Sequence, residues 1–161
     1  MTRLRRLALE LFGRLPAFVR RRVVTILSPG YVLGAVLALR HGDDVLMVRS
    51  RHLREAMTLP GGLLERGETP REGLVRELRE ELRLDVELGE DATVVLVYPE
   101  PRRVDFVYEV RVSERPELHV DGIEVLEAQW VPITSELTDD TARDALDRLA
   151  RRPPHPLDST T

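Results

Sequence analysis

At 161 residues the chain has the length of one domain that can bury a real core, and no second domain is expected. The absence of cysteine excludes disulfides and thiolate zinc sites and points to a reducing cytosol. All 24 basic residues are arginine, which rules out a lysine-bearing phosphate loop and Schiff-base chemistry, and 28 acidic residues set a net charge of −4.

The first 30 residues carry Arg3, Arg5, Arg6, Arg14, Arg20, Arg21 and Arg22 against Glu10 alone, a local +6 that leaves −10 to the remainder. Leu4, Leu7, Ala8, Leu11, Leu15 and Phe18 recur at helical spacing, which predicts a basic amphipathic helical extension over 1–28, interrupted near Pro16. Its apolar stripe has three readings: packing on this domain or on a second copy in a homodimer, lying on an anionic membrane, or fraying in solution. Packing is favoured, because apolar stripes usually find protein. The segment is too short and too charged to span a bilayer and lacks the features of a signal peptide, so the predicted location is cytoplasmic. The acidic body of the chain speaks against a nucleic-acid partner.

From Tyr31 to Arg40 a largely apolar run ends in the turn-prone His41-Gly42-Asp43-Asp44, and Val45 to Val48 follows, which predicts two paired, buried strands. Leu59-Pro60-Gly61-Gly62 reads as a tight turn without regular structure, and Gly67 lets the loop fold back. A helix over Pro70 to Leu82 is well signalled: Thr69 caps it, Pro70 takes the first position, and Glu72 completes a capping box. Thr93 to Tyr98, Val104 to Val112 and Ile123 to Val131 read as strands, and Asp140 to Arg151 as a second helix. These elements make a domain over 29–152, of α/β class, with a mixed β-sheet between helices in an α/β/α sandwich. The proline-rich end, 153–161, reads as a disordered tail. His41, His52, His119 and His155 show no ligand spacing, and Tyr31, Phe106, Tyr108 and Trp130, which could stack on a base, are assigned to packing because aromatics are so few.

The chemistry lies in the first helix. Glu77, Glu80 and Glu81 stand at i, i+3 and i+4, crowding one face with carboxylates while Leu74, Leu78 and Leu82 line another. A solvated charged face would be the ordinary reading of such a run. It fits badly, because Glu77 and Glu81 repel, and Glu80 and Glu81 meet the unfavourable end of the helix dipole at about 0.3–1 kcal/mol each. Arg76 has Glu72 and Glu80 within one turn but cannot neutralise three carboxylates. A divalent cation could, and clustered hard oxygens select Mg2+ or Mn2+, which share their coordination with substrate phosphates. A water nucleophile, with a glutamate to take its proton, then gives phosphoryl chemistry.

Gly62, five residues, Glu68, seven residues, Arg76-Glu77-Leu78, one residue, Glu80-Glu81, then Leu84 resembles the signature of the Nudix hydrolase family, and Leu59-Pro60-Gly61 resembles its lead-in. One position departs: Arg83 stands where the family usually has glycine, at a helix end that favours a left-handed residue. A non-glycine residue there costs about 1 kcal/mol unless the helix ends differently.

The resemblance implies the sandwich fold and, residue by residue, a site. Glu77, Glu80 and Glu81 would ligate metal, joined by the Gly61 carbonyl; Arg76 would orient the carboxylates; Glu68 would support the loop or back a metal ligand, and it is also grouped with the candidates for substrate binding. Glu77 is the first choice of base, with Glu80 also in the catalytic set. A further acid from outside the motif is expected, and Asp121, Glu124 and Glu127 all qualify. Arg49 and Arg51 are candidates for substrate phosphate, since guanidinium forks match phosphate oxygens. The implied enzyme is a metal-dependent pyrophosphohydrolase that splits a small-molecule diphosphate, a nucleoside triphosphate or a nucleoside diphosphate derivative such as an ADP-sugar. The alternative is a non-catalytic, Nudix-like module that senses a nucleotide or holds a partner.

Overall fold

The computed structural model describes residues 30–51, 56–134, 136 and 139–152; the predicted N-terminal helix, His52 and the proline-rich tail lie outside the described residues. The elements are β1 (Val32–His41), β2 (Asp44–Ser50), β3 (Gly61–Leu63), α1 (Pro70–Leu82), β4 (Val94–Tyr98), β5 (Arg103–Arg111), β6 (Val125–Pro132) and α2 (Asp140–Ala150). The sheet runs β4-β5-β1-β2-β6, with β3 also on β1. Among the described residues only β1 and β5 pair in parallel, so the sheet is mixed.

Strand periodicity divides the core. Along β1, Ala35, Leu37 and Leu39 pack with Leu74, Leu78 and Leu82 of α1, whereas Val36 and Ala38 pack with Ala142, Ala145, Leu146 and Leu149 of α2. Successive side chains point to opposite faces, so one strand serves both layers of the α/β/α sandwich. No helix among the described residues is long and apolar enough to cross a membrane.

Two local readings of the sequence are corrected. Gly61 and Gly62 are strand residues, because β3 pairs antiparallel with β1, Gly62 opposite Ala35 and Leu63 opposite Gly34. Backbone pairing overrode the turn propensity of a glycine pair. The last strand begins at Val125 rather than Ile123, since the Asp121 carboxylate takes the backbone N–H groups of Ile123, Glu124 and Val125 at 3.0–3.3 Å and bends the chain there.

The N-terminus of α1 has the predicted capping box: the Glu72 N–H donates to Thr69 Oγ1 at 3.3 Å, and the Thr69 N–H donates to Glu72 Oε2 at 2.8 Å. At the other end Arg83 takes the left-handed conformation, φ 49° and ψ 34°, the one positive φ outside glycine among the described residues. The chain turns back so that the Leu84 N–H donates to the Leu78 carbonyl at 3.0 Å and Leu84 is buried. The helix ends as a glycine-terminated one does, with an arginine bearing the strain. Arg83→Gly should therefore raise stability by about 0.5–1 kcal/mol, the relieved strain outweighing glycine's larger unfolded-state entropy. A urea midpoint that stays put or falls would show that Arg83 makes good the strain elsewhere.

Candidate active site

Where β3 lies beside α1, two glycines bring backbone and carboxylate together. A Cβ on Gly62 would sit 2.6 Å from the Glu77 carboxyl carbon, so only glycine leaves Glu77 its place. Gly61 has φ 134°, and a Cβ there would meet the Ala35 carbonyl oxygen at 2.2 Å.

Arg76 binds this corner together. Its Nε and Nη2 donate to the two oxygens of Glu68 at 2.8 and 3.1 Å, Nη2 donates to the Leu63 carbonyl at 3.1 Å, and Nη1 reaches Glu77 at 2.9 Å and Glu80 at 3.5 Å. The expected Arg76–Glu72 pair does not form, because the Glu72 carboxylate is taken by the capping box. Glu68 is held down to about 2 by the Arg76 bonds first and by the Glu65 N–H second. Its carboxylate thus braces the loop through Arg76 and Glu65.

Glu81 is the deepest carboxylate of the three, 8% exposed. Burial first, and then the charges of Glu77, Glu124, Asp121 and Glu80, push it up to about 8. Glu77 is also raised, since burial outweighs its bond to Arg76. Glu80 is 65% exposed at the rim. Together with Asp121 and Glu124 these three glutamates line a pocket of about 370 Å³. No three acidic or histidine side chains among the described residues already close on one point. Mutual repulsion and the pull of Arg76 on Glu77 and Glu80 oppose such closure. The donor set is nonetheless all hard oxygen, which suits a magnesium- or manganese-type ion that keeps several waters.

The three candidate acids outside the motif separate clearly. Glu127 lies opposite Arg49 in the β2–β6 register and accepts from its Nη2 at 2.7 Å and its Nε at 3.1 Å, away from the cluster. Asp121 lines the pocket, but its carboxylate is occupied by backbone N–H groups. Glu124 faces Glu77 and Glu81 closely enough to raise both. Both arginines considered for phosphate are engaged: Arg49 with Glu127, and Arg51 with the carbonyls of Ile123 at 2.6 Å and Gly122 at 3.2 Å.

On the α2 side lies a second cavity of about 250 Å³, lined by Gly61, Thr58, Arg103, Asp105, Asp139 and the apolar Val36, Leu59 and Leu96, among others. Asp105 is wholly buried and accepts from Arg103 Nε at 2.7 Å. Asp139 caps α2 through the Ala142 N–H at 2.7 Å, and burial raises it. Sequence reasoning missed both. For Asp105 the available signal was its register with Val107, which faces the α2 layer; for Asp139, its place immediately before a helix.

A family model described as NUDIX domain matches residues 30–151. Among solved structures, the chain is similar to a putative Nudix hydrolase family member from Chromobacterium violaceum, with a TM-score of 0.61 and 24% identity over 78% of this chain and 80% of that one. It is similar to the MutT protein from Methanosarcina mazei Go1, with a TM-score of 0.62 and 23% identity over 78% of this chain and 96% of that one. A bifunctional NMN adenylyltransferase/ADP ribose pyrophosphatase from Francisella tularensis, complexed with AMP and manganese, has a TM-score of 0.64 and 18% identity over 81% of this chain and 44% of that one. At these identities the structures speak for the fold. No curated protein sequence matches the chain. Because the family match runs from the start of β1 to the end of α2, the chain belongs to the Nudix hydrolase family.

Proposed function

We propose that the protein is a divalent-metal-dependent hydrolase that cleaves the diphosphate of a nucleotide derivative by water attack at phosphorus. The observation that carries this reading is the carboxylate pocket, in which Glu77, Glu80, Glu81 and Glu124 surround one space and, among the described residues, Arg76 is the one cation in its lining. Nothing in the fold requires so much like charge at one place, and a binding module has no need of it. Magnesium or manganese held by these carboxylates, with the Gly61 carbonyl, would neutralise the diphosphate and lower the pKa of the attacking water.

The chain's own groups do the rest. Glu77 is placed by Gly62 and Arg76 to take the proton from water, and Glu68 fixes Arg76 so that this placement holds. The cavity on the other side of β3 would take the nucleoside. Gly61 lines that cavity and Gly62, one Cα spacing of ~3.8 Å away, abuts Glu77, so a diphosphate bound across β3 joins the two spaces.

The test is release of phosphate or pyrophosphate from nucleoside triphosphates, ADP-ribose, nucleotide sugars and dinucleoside polyphosphates, with magnesium and with manganese, beside Glu80→Gln. Turnover of one class that falls in the variant, with its fold unchanged, is the expected result. Silence across the panel from folded, metal-loaded protein would instead support a non-catalytic nucleotide-binding module.

A further inference from the structure

We infer that Arg51 and Asp121 are positioning residues that present Glu124 to the carboxylate pocket. The inference rests on the reading of Glu124 as a metal ligand. Glu124 lies on an exposed loop just before β6, where nothing in local propensity would hold its carboxylate across from Glu77 and Glu81. Yet that loop is tied from three sides. Towards α1, the N–H groups of His119 and Asp121 donate to the carbonyls of Leu82 and Glu81 at 3.0 and 2.9 Å, using acceptors that a helix C-terminus leaves without partners. From within, the Asp121 carboxylate accepts from the N–H groups of Ile123, Glu124 and Val125. From just past β2, the guanidinium of Arg51 donates to the carbonyls of Ile123 and Gly122, and the Arg51 backbone N–H donates to the Glu124 carbonyl at 2.9 Å.

Arg51 therefore directs two of its guanidinium donors at carbonyls beside Glu124, which is a different role from gripping substrate phosphate. The 2.6 Å contact from Nε is charge-assisted, and two carbonyls taken by one planar group fix the orientation of the loop as well as its distance. Asp121 points its carboxylate at backbone donors, which turns it from a rival ligand into the inner brace of the same loop. In metal sites, the partners that orient a ligand commonly affect affinity about 10–100-fold when lost.

The experiment is Mn2+ titration of Arg51→Ala, Asp121→Ala, Glu124→Gln and the double variant Arg51→Ala/Glu124→Gln, with free Mn2+ followed by electron paramagnetic resonance and folding checked by thermal melts. Glu124→Gln should weaken Mn2+ binding, and Arg51→Ala and Asp121→Ala should each weaken it about 10-fold. The double variant should be no weaker than Glu124→Gln alone, because the arginine acts through the glutamate. On a turned-over substrate, Arg51→Ala should lower kcat with little change in KM. Penalties that multiply in the double variant would show that Arg51 acts independently of Glu124 and would overturn the clamp, and a rise in KM alone would overturn it in favour of a direct phosphate contact. Unchanged Mn2+ binding in Arg51→Ala beside weakened Glu124→Gln would overturn it outright. Unchanged binding in Glu124→Gln would remove the ligand reading on which the clamp rests, and a loss of folding in Arg51→Ala would be resolved by Arg51→Lys, which keeps a cationic donor group without the planar fork and should retain part of the affinity.

Discussion

Glu81→Gln should sharply lower turnover and, in the same molecule, stabilise the metal-free protein. Glu81 is held up to about 8 against an ordinary 4.5, by burial and by four neighbouring carboxylates. A folded state that binds the proton more tightly than the unfolded state loses stability as pH rises between the two values. Metal-free wild type therefore carries no Glu81 penalty near pH 4, an increasing one from about 4.5 upwards, and the full penalty above about 8. Glutamine has the shape of the protonated acid and cannot ionise. Its advantage over wild type should be near zero at pH 4 and reach about 1–3 kcal/mol by pH 8, a range that allows for solvent screening at the open side of the pocket. Urea denaturation in a chelator across that pH range measures the difference directly. On the proposed reading, in which Glu81 is the deepest metal ligand, turnover with metal should fall ~10³-fold, about 4 kcal/mol of barrier. A variant less stable than wild type at pH 8 would mean that Glu81 is satisfied by a partner rather than strained for its task.

Substituting the two adjacent glycines should break the protein in two different ways. Gly61→Ala sets a Cβ 2.2 Å from the Ala35 carbonyl oxygen, at φ 134°, where the obstacle is the backbone of β1. The β1–β3 pairing cannot give way without loosening the sheet, so unfolding free energy should drop by about 3 kcal/mol or more. At Gly62 the new methyl meets the Glu77 carboxyl group at 2.6 Å, the far end of a flexible side chain. Glu77 can swing aside, so Gly62→Ala should fold with a loss of about 1 kcal/mol or less while kcat falls ~10²-fold, because a displacement of about 1 Å at a reacting group has that effect. Denaturation midpoints and kcat on one substrate separate the pair. Equal losses of stability at both positions would show that Glu77 is not what occupies the space above Gly62.

Much of this was legible in the residue order because it is set locally. Thr69, Pro70 and Glu72 specify where α1 starts whatever surrounds it, and i, i+3, i+4 spacing puts Glu77, Glu80 and Glu81 on one side of any helix they share. Alternation along β1 likewise determines that it serves two layers. The end of α1 was not set in this way: Arg83 in place of glycine left it open, and the left-handed turn came with the burial of Leu84.

What the residue order left open depended on partners distant in sequence. Arg76 had glutamates on both sides at helical spacing, and the choice of Glu68 over Glu72 came from a loop folding back while the cap claimed Glu72. Asp121, Glu124 and Glu127 are equivalent as text. They diverge because Glu127 falls opposite Arg49 in an antiparallel register, Asp121 is spent on its own backbone, and Glu124 is left facing α1. The elevation of Glu81 is of the same kind, since neither its burial nor the nearness of Glu124 exists until the loop before β6 meets the helix. Local propensity and spacing act within a few residues and so can be read from the chain; desolvation and charge pairing act across space, and only the folded sheet determines which side chains they join.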